Sequence, residues 1–121
     1  MRYLLFIVLL VTLGGCHKTQ PTMAGNKWAE ALRDPDARVR QKAAFTLGNI
    51  GSSDPAAFPA LIGALNDAEA GVRCEAILAL LKLGAKAKEA RTVLANLCQN
   101  DPDPRVREYA ARAIRRIEDG G

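Results

Sequence analysis

Chemistry has few places to start in this chain. One histidine, His17, three cysteines and 13 Asp or Glu residues stand against 17 Lys or Arg in 121 residues. A lone histidine near the N-terminus offers neither activation of a nucleophile nor a His metal cluster. No CxxC, HExxH, P-loop or GxSxG pattern occurs, so the expectation is a non-enzyme that needs no cofactor and no metal. The charged residues that do recur are an Asp and an Arg six positions apart: Asp34 and Arg40, Asp67 and Arg73, Asp101 and Arg107. Such a pair could serve as an acid–base couple or an anion site. Three copies of it argue for construction instead. At a turn, the Asp can accept from the first N–H groups of the helix that follows, and the Arg can reach an Asp of the neighbouring copy.

The elements that position these pairs are themselves repeated. Asp34-Pro-Asp-Ala-Arg-Val-Arg40, Asp67-Ala-Glu-Ala-Gly-Val-Arg73 and Asp101-Pro-Asp-Pro-Arg-Val-Arg107 are spaced by 33 and then 34 residues. Behind each Val-Arg the apolar positions align. Val39, Ala43, Leu47 and Ile50 fall on one face of a helix, with Ala76, Leu80 and Leu83, then Ala110, Ile114 and Ile117, in the same columns. Gly51 and Gly84 stand where the first two of these helices should stop. A further apolar helix precedes each Asp: Trp28 and Leu32 in the first copy, Phe58, Leu61, Ile62 and Leu65 in the second, Ala90, Leu94, Leu97 and Cys98 in the third. Hydrophobic residues are 49%, charged 25% and aromatic only 5%, which suits an ordered all-α chain and not a β-sandwich.

The Asp-Pro-Asp-Ala-Arg-Val-Arg-Gln-Lys-Ala-Ala-Phe-Thr-Leu-Gly-Asn-Ile-Gly of the first copy resembles the HEAT repeat in its short Ala-rich bacterial form. The second copy departs at Ala68 and Gly71, and the third carries Glu118 in place of the terminal Gly. The resemblance implies a right-handed α-solenoid of three helix pairs over residues 26–119, in copies of about 26–51, 55–84 and 88–119. It also implies an Asp/Arg ladder along the stack and a partner surface on the concave side formed by the second helix of each pair. Alignment places Lys42, Glu75, Lys82, Tyr109, Arg112 and Arg116 on that side as candidate partner contacts. Tyr109 is the expected exposed aromatic anchor, and Phe45 and Leu78 the expected core between copies. In the third copy the Phe45/Leu78 and Gly48/Leu81 columns turn charged at Arg112 and Arg115, and Arg116 aligns with Asn49 and Lys82, the polar outer face expected of a cap on a complete stack.

Ahead of the repeats, Met1-Arg2 leads into an apolar run over Tyr3–Leu13, too short for a spanning helix of about 20 residues and of the length of a secretory signal. It ends in Leu13-Gly14-Gly15-Cys16, which resembles the lipobox of bacterial lipoproteins. The resemblance implies removal of residues 1–15, lipid on Cys16, and a polar tether over 16–25. His17 stands where an Asp would mark retention in the inner membrane, so an outer-membrane anchor facing the periplasm is implied where the cell has one. Cys74 and Cys98 should lie at one end of the stack, where an oxidising envelope would permit a disulfide or leave two separate thiols. The mixed charges of the repeats, with a net of +4 for the whole chain, give no nucleic-acid stripe. The resulting expectation is an envelope module that binds a protein or peptide. Two alternatives stand beside it: a lyase-like enzyme or enzyme accessory, since some HEAT-like families are lyases acting on tetrapyrrole-bearing proteins, and a structural envelope spacer.

Overall fold

The computed structural model describes residues 23–120, which form six α-helices and two 3-10 segments, with no strand among them. The helices are α1 (Met23–Ala31), α2 (Ala37–Ile50), α3 (Ala57–Ala64), α4 (Ala70–Lys82), α5 (Arg91–Asn100) and α6 (Pro104–Asp119). They pair as α1/α2, α3/α4 and α5/α6, and the pairs stack in chain order into an α-solenoid. Residues 1–22, with the expected signal, lipidated Cys16 and most of the tether, lie outside the described residues. The helix α1 begins at Met23, inside the stretch expected as tether. Gly25 packs so close to the carboxylate of Asp54 that a methyl group there would overlap it.

The repeated apolar columns become the core. Of the column residues, Ala43, Leu47, Ala76, Leu80, Leu83 and Ala110 are buried, whereas Val39, Ile50, Ile114 and Ile117 at the ends of the stack are half-buried; Leu61, Leu65, Ile77, Leu94, Val106 and Ala113 complete the core. Alanine supplies much of it, and its small side chain lets helix axes approach closely. The tightest approach is at Gly48 of α2, where a Cβ would stand 2.8 Å from both the Cα and the Cβ of Ala79 in α4. Gly51 and Gly84 end the first two repeats at φ of 69° and 67°, conformations that a side chain disfavours. Each opens a 3-10 segment, Gly51–Ser53 and Gly84–Ala90, that carries the chain to the next pair.

The turn before each second helix works differently from the expected cap. The capping carboxylates are two residues further on than expected: Asp36 accepts from the Arg38 N–H at 2.9 Å and Asp103 from the Arg105 N–H at 2.8 Å. Asp34, Asp67 and Asp101 instead close a small turn, each accepting through Oδ1 from the N–H two residues later. An Asp-x-Asp pattern offers two candidate caps, and only the backbone geometry decides between them. The middle copy has Glu69 at the cap position, and its longer side chain makes no capping bond.

The Arg105 guanidinium and the backbone N–H of Arg105 hold the Asp103 carboxyl down to about 2. A depressed carboxyl stabilises the fold above its unfolded value near 4, and that contribution is lost as pH falls through about 2. The first turn of α6 should therefore keep its amide protection at pH 4 and lose it approaching pH 2. Hydrogen exchange at Arg105 and Val106 reads this, and unchanged protection at pH 2 would contradict the capping role.

Candidate functional site

The three second helices α2, α4 and α6 pack side by side in one continuous layer, whereas the first helices touch each other sparingly. Closer spacing in one layer than in the other curves a stack, so the second helices form the inner, concave face. In this face α2, α4 and α6 enclose a groove of about 490 Å³ lined by Phe45, Glu75, Leu78, Leu81, Lys82 and Arg116.

Phe45 dominates the groove. It is the one large hydrophobic residue classed as exposed among the described residues, at 48%. Its neighbours on α2 explain this. Ala44, Leu47 and Gly48 are buried, Gly48 against Ala79 of α4, so Phe45 falls at the border of the buried stripe. The Lys82 ammonium lies 4.6 Å from the centre of the Phe45 ring and donates to Asn49 Oδ1 at 3.0 Å. The cation thus rests on the ring face, where the ring's negative charge attracts it. An apolar floor with an exposed ring, flanked by two cations and one carboxylate, can take up an apolar side chain from a partner segment.

Three of the six expected contact residues, Glu75, Lys82 and Arg116, line this groove. Lys42 is exposed on α2 outside it, and Arg112 is exposed and paired with Glu108 at 2.6 Å. Tyr109 is half-buried and packs against the core, so the exposed aromatic on this face is Phe45. Phe45 and Leu78, expected as core, instead line the groove, Leu78 half-buried.

The recurring Asp and Arg residues build a ladder at the turn end of the stack. Arg40 donates through Nε and Nη2 to the two carboxylate oxygens of Asp67, at 2.8 and 3.1 Å, and through Nη1 to the carbonyls of Asp34 and Pro35. Arg73 repeats this with Asp101, at 2.8 and 2.9 Å, and with the carbonyls of Asp67 and Ala68. Arg73 and Asp101 are both buried, and their mutual hydrogen bonds raise the arginine pKa further above its ordinary range. Each rung therefore bolts one copy to the next while tying down two turn carbonyls.

Cys74 and Cys98 are free thiols, each half-buried against the core. Burial pushes the Cys74 thiol up, away from the reactive thiolate. Among the described residues no group of three His, Cys, Asp or Glu side chains is placed to hold a metal, and no helix is long and apolar enough to cross a membrane.

Comparison with known proteins follows the same lines. No curated protein matches the chain. Among solved structures it is similar to a chain in the complex of CpcE and CpcF of phycocyanin lyase from Nostoc sp. PCC7120. The two are 29% identical with a TM-score of 0.68 over 87% of this chain, which spans only 41% of that one. The family model for HEAT repeats matches residues 25–115, covering all three helix pairs described above, and the chain belongs to the HEAT-repeat family.

Proposed function

We propose that this chain is a non-enzymatic interaction module that holds a segment of a partner protein in the groove around Phe45, at a cell envelope to which lipid on Cys16 tethers it. One observation carries the binding reading: a phenylalanine 48% exposed on the inner face of a HEAT stack, over an apolar groove of a size to seat one or two side chains. The signal-like run of residues 3–13 and the Leu13-Gly14-Gly15-Cys16 that follows support the tether.

A photo-cross-linking residue in place of Phe45, compared in intact cells with the same residue in place of the exposed Glu30 of α1, tests the binding face. A discrete protein adduct from position 45 and not from position 30 is expected. With that partner in hand, Phe45→Ala should weaken binding about tenfold or more while leaving the unfolding midpoint nearly unchanged. Adducts from neither position, or equally from both, would sink the reading. The tether has its own readout: fatty-acid labelling should disappear in Cys16→Ser, and labelling that persists would place the lipid elsewhere.

The similarity to a phycocyanin lyase chain favours a second reading, in which the stack serves as one component of a larger enzyme assembly. A pigment absorbance co-purifying with the protein would support it; colourless protein with a discrete cross-linked partner would favour the interaction module.

A further inference from the structure

The ladder carries a consequence at its last rung. Arg107 is anchored as its two counterparts are: its Nη1 donates to the carbonyls of Asp101 and Pro102 at 2.7 and 3.2 Å. Arg40 and Arg73 make the same two carbonyl bonds, at 2.8 and 3.1 Å each. In both of those, that anchor aims Nε and Nη2 at the two oxygens of an aspartate in the following copy. No copy follows α6 among the described residues, and none of them accepts from Nε or Nη2 of Arg107.

We infer that Arg107 is a prepositioned carboxylate receptor at the end of the stack, which takes an Asp or Glu side chain of an acidic partner protein in a two-pronged hydrogen bond. Holding the guanidinium by two carbonyls removes much of the ordering cost that a free arginine would meet on binding. The ligand chemistry follows from the sister rungs, where the same fork in the same fold holds a carboxylate. The charge of the surrounding helix agrees, since α6 carries five arginines against three acidic residues. Arg105 is engaged by Asp103, Arg112 by Glu108, while Arg115 and Arg116 stand exposed. These arginines also bear on the kind of occupant. Arg112 and Arg115 occupy the columns held by Phe45 and Gly48 in the first copy and by Leu78 and Leu81 in the second. A further repeat, or a second copy of this chain, could not stack flush on that charged face as α4 stacks on Gly48. An acidic surface can meet it.

The test uses the isotope-labelled full chain in nonionic detergent at pH 6.5, with hexa-aspartate peptide as the probe. The Nε–Hε resonance of Arg107 should move on titration toward the positions of the paired Arg40 and Arg73. Arg107→Lys, which keeps the charge but not the fork, should weaken peptide binding about tenfold, and Arg38→Lys at the other end should leave it unchanged. Because the resonance is read in the unaltered chain, the result stands even if the variant folds poorly. Equal shifts at Arg38 and Arg107, or undiminished binding by Arg107→Lys, would reduce the effect to general charge attraction and overturn the receptor. A shift of Arg107 with phosphatidylglycerol vesicles but not with the peptide would overturn the carboxylate in favour of a lipid phosphate. A shift on concentrating the protein alone, with a rising sedimentation coefficient, would overturn the partner in favour of a second copy. The readout is separate from the groove, so failure here leaves the Phe45 reading standing, and failure there leaves this one.

Discussion

Arg73→Met should lower the free energy of unfolding by about 3–5 kcal/mol, a large share of what a single domain of this size possesses. The reason lies in what remains. Asp101 is only 6% exposed, and without its guanidinium it is a buried carboxylate with one backbone N–H for company. The carbonyls of Asp67 and Ala68 also lose their donor. Arg73→Lys should rescue little, because an ammonium cannot meet both carboxylate oxygens and two carbonyls from one position. The double variant Arg73→Met with Asp101→Leu should recover part of the loss, since replacing a buried pair costs less than breaking it. Recovery stays incomplete because Asp101 also closes its own turn through the Asp103 N–H. The series orders the rungs as well. Arg40→Met should cost less than Arg73→Met, its pair being more exposed, and Arg107→Met least, having only carbonyls to lose. Urea unfolding measures all of these; a loss below about 1 kcal/mol for Arg73→Met would show that the ladder is ornament to a stack held by its apolar core.

How much of this was legible beforehand depends on whether a feature is periodic. The Asp and Arg columns recur at 33 and 34 residues, so their equivalence could be read from the chain, and Gly51 and Gly84 mark helix ends by the same logic. The helix stripes were readable too, because burial of one face imposes its spacing. The cap was not. Asp34 and Asp36 are both suited to it, and the choice depends on which residue's backbone leaves the helix.

The groove was half legible, for a related reason. Helical periodicity gives the direction of a side chain to within a third of a turn, but the edge of the buried stripe depends on where the neighbouring helix lies. Phe45 and Tyr109 both sit near such an edge. Phe45 falls outside because the α2–α4 contact passes through Gly48 and Ala79. Tyr109 falls inside, against the core that Val106, Ala110 and Ala113 build. Aromatic size favoured neither assignment. Lys82 and Arg116, which line the groove, share with Asn49 a column that is polar in every copy, so their place outside the core was readable; Glu75 lines it too, but its column also holds Lys42 and Tyr109 and carried the same ambiguity.

The residue that sets this edge can be tested directly. Gly48→Leu should destabilise the domain by about 3 kcal/mol, because the side chain must displace the backbone of Ala79, which has no rotamer by which to yield. Even Gly48→Ala should be a net loss, although alanine in a helix interior is ordinarily favoured over glycine by about 1 kcal/mol. The contrast is Gly63 in α3, where an added Cβ meets nothing within 4 Å and Gly63→Ala should stabilise. Ala79→Gly placed with Gly48→Ala should restore part of the loss, relieving the Cβ contact but not the Cα one, and a double-mutant cycle isolates that coupling. Lys82 Cδ lies 3.5 Å from the same added Cβ, so a variant that still folds should also shift the lysine away from the Phe45 ring. Thermal unfolding reads the first effect and partner affinity the second. If Gly48→Ala proves as stabilising as Gly63→Ala, the helices are not in contact at Gly48, and the exposure of Phe45 needs another cause.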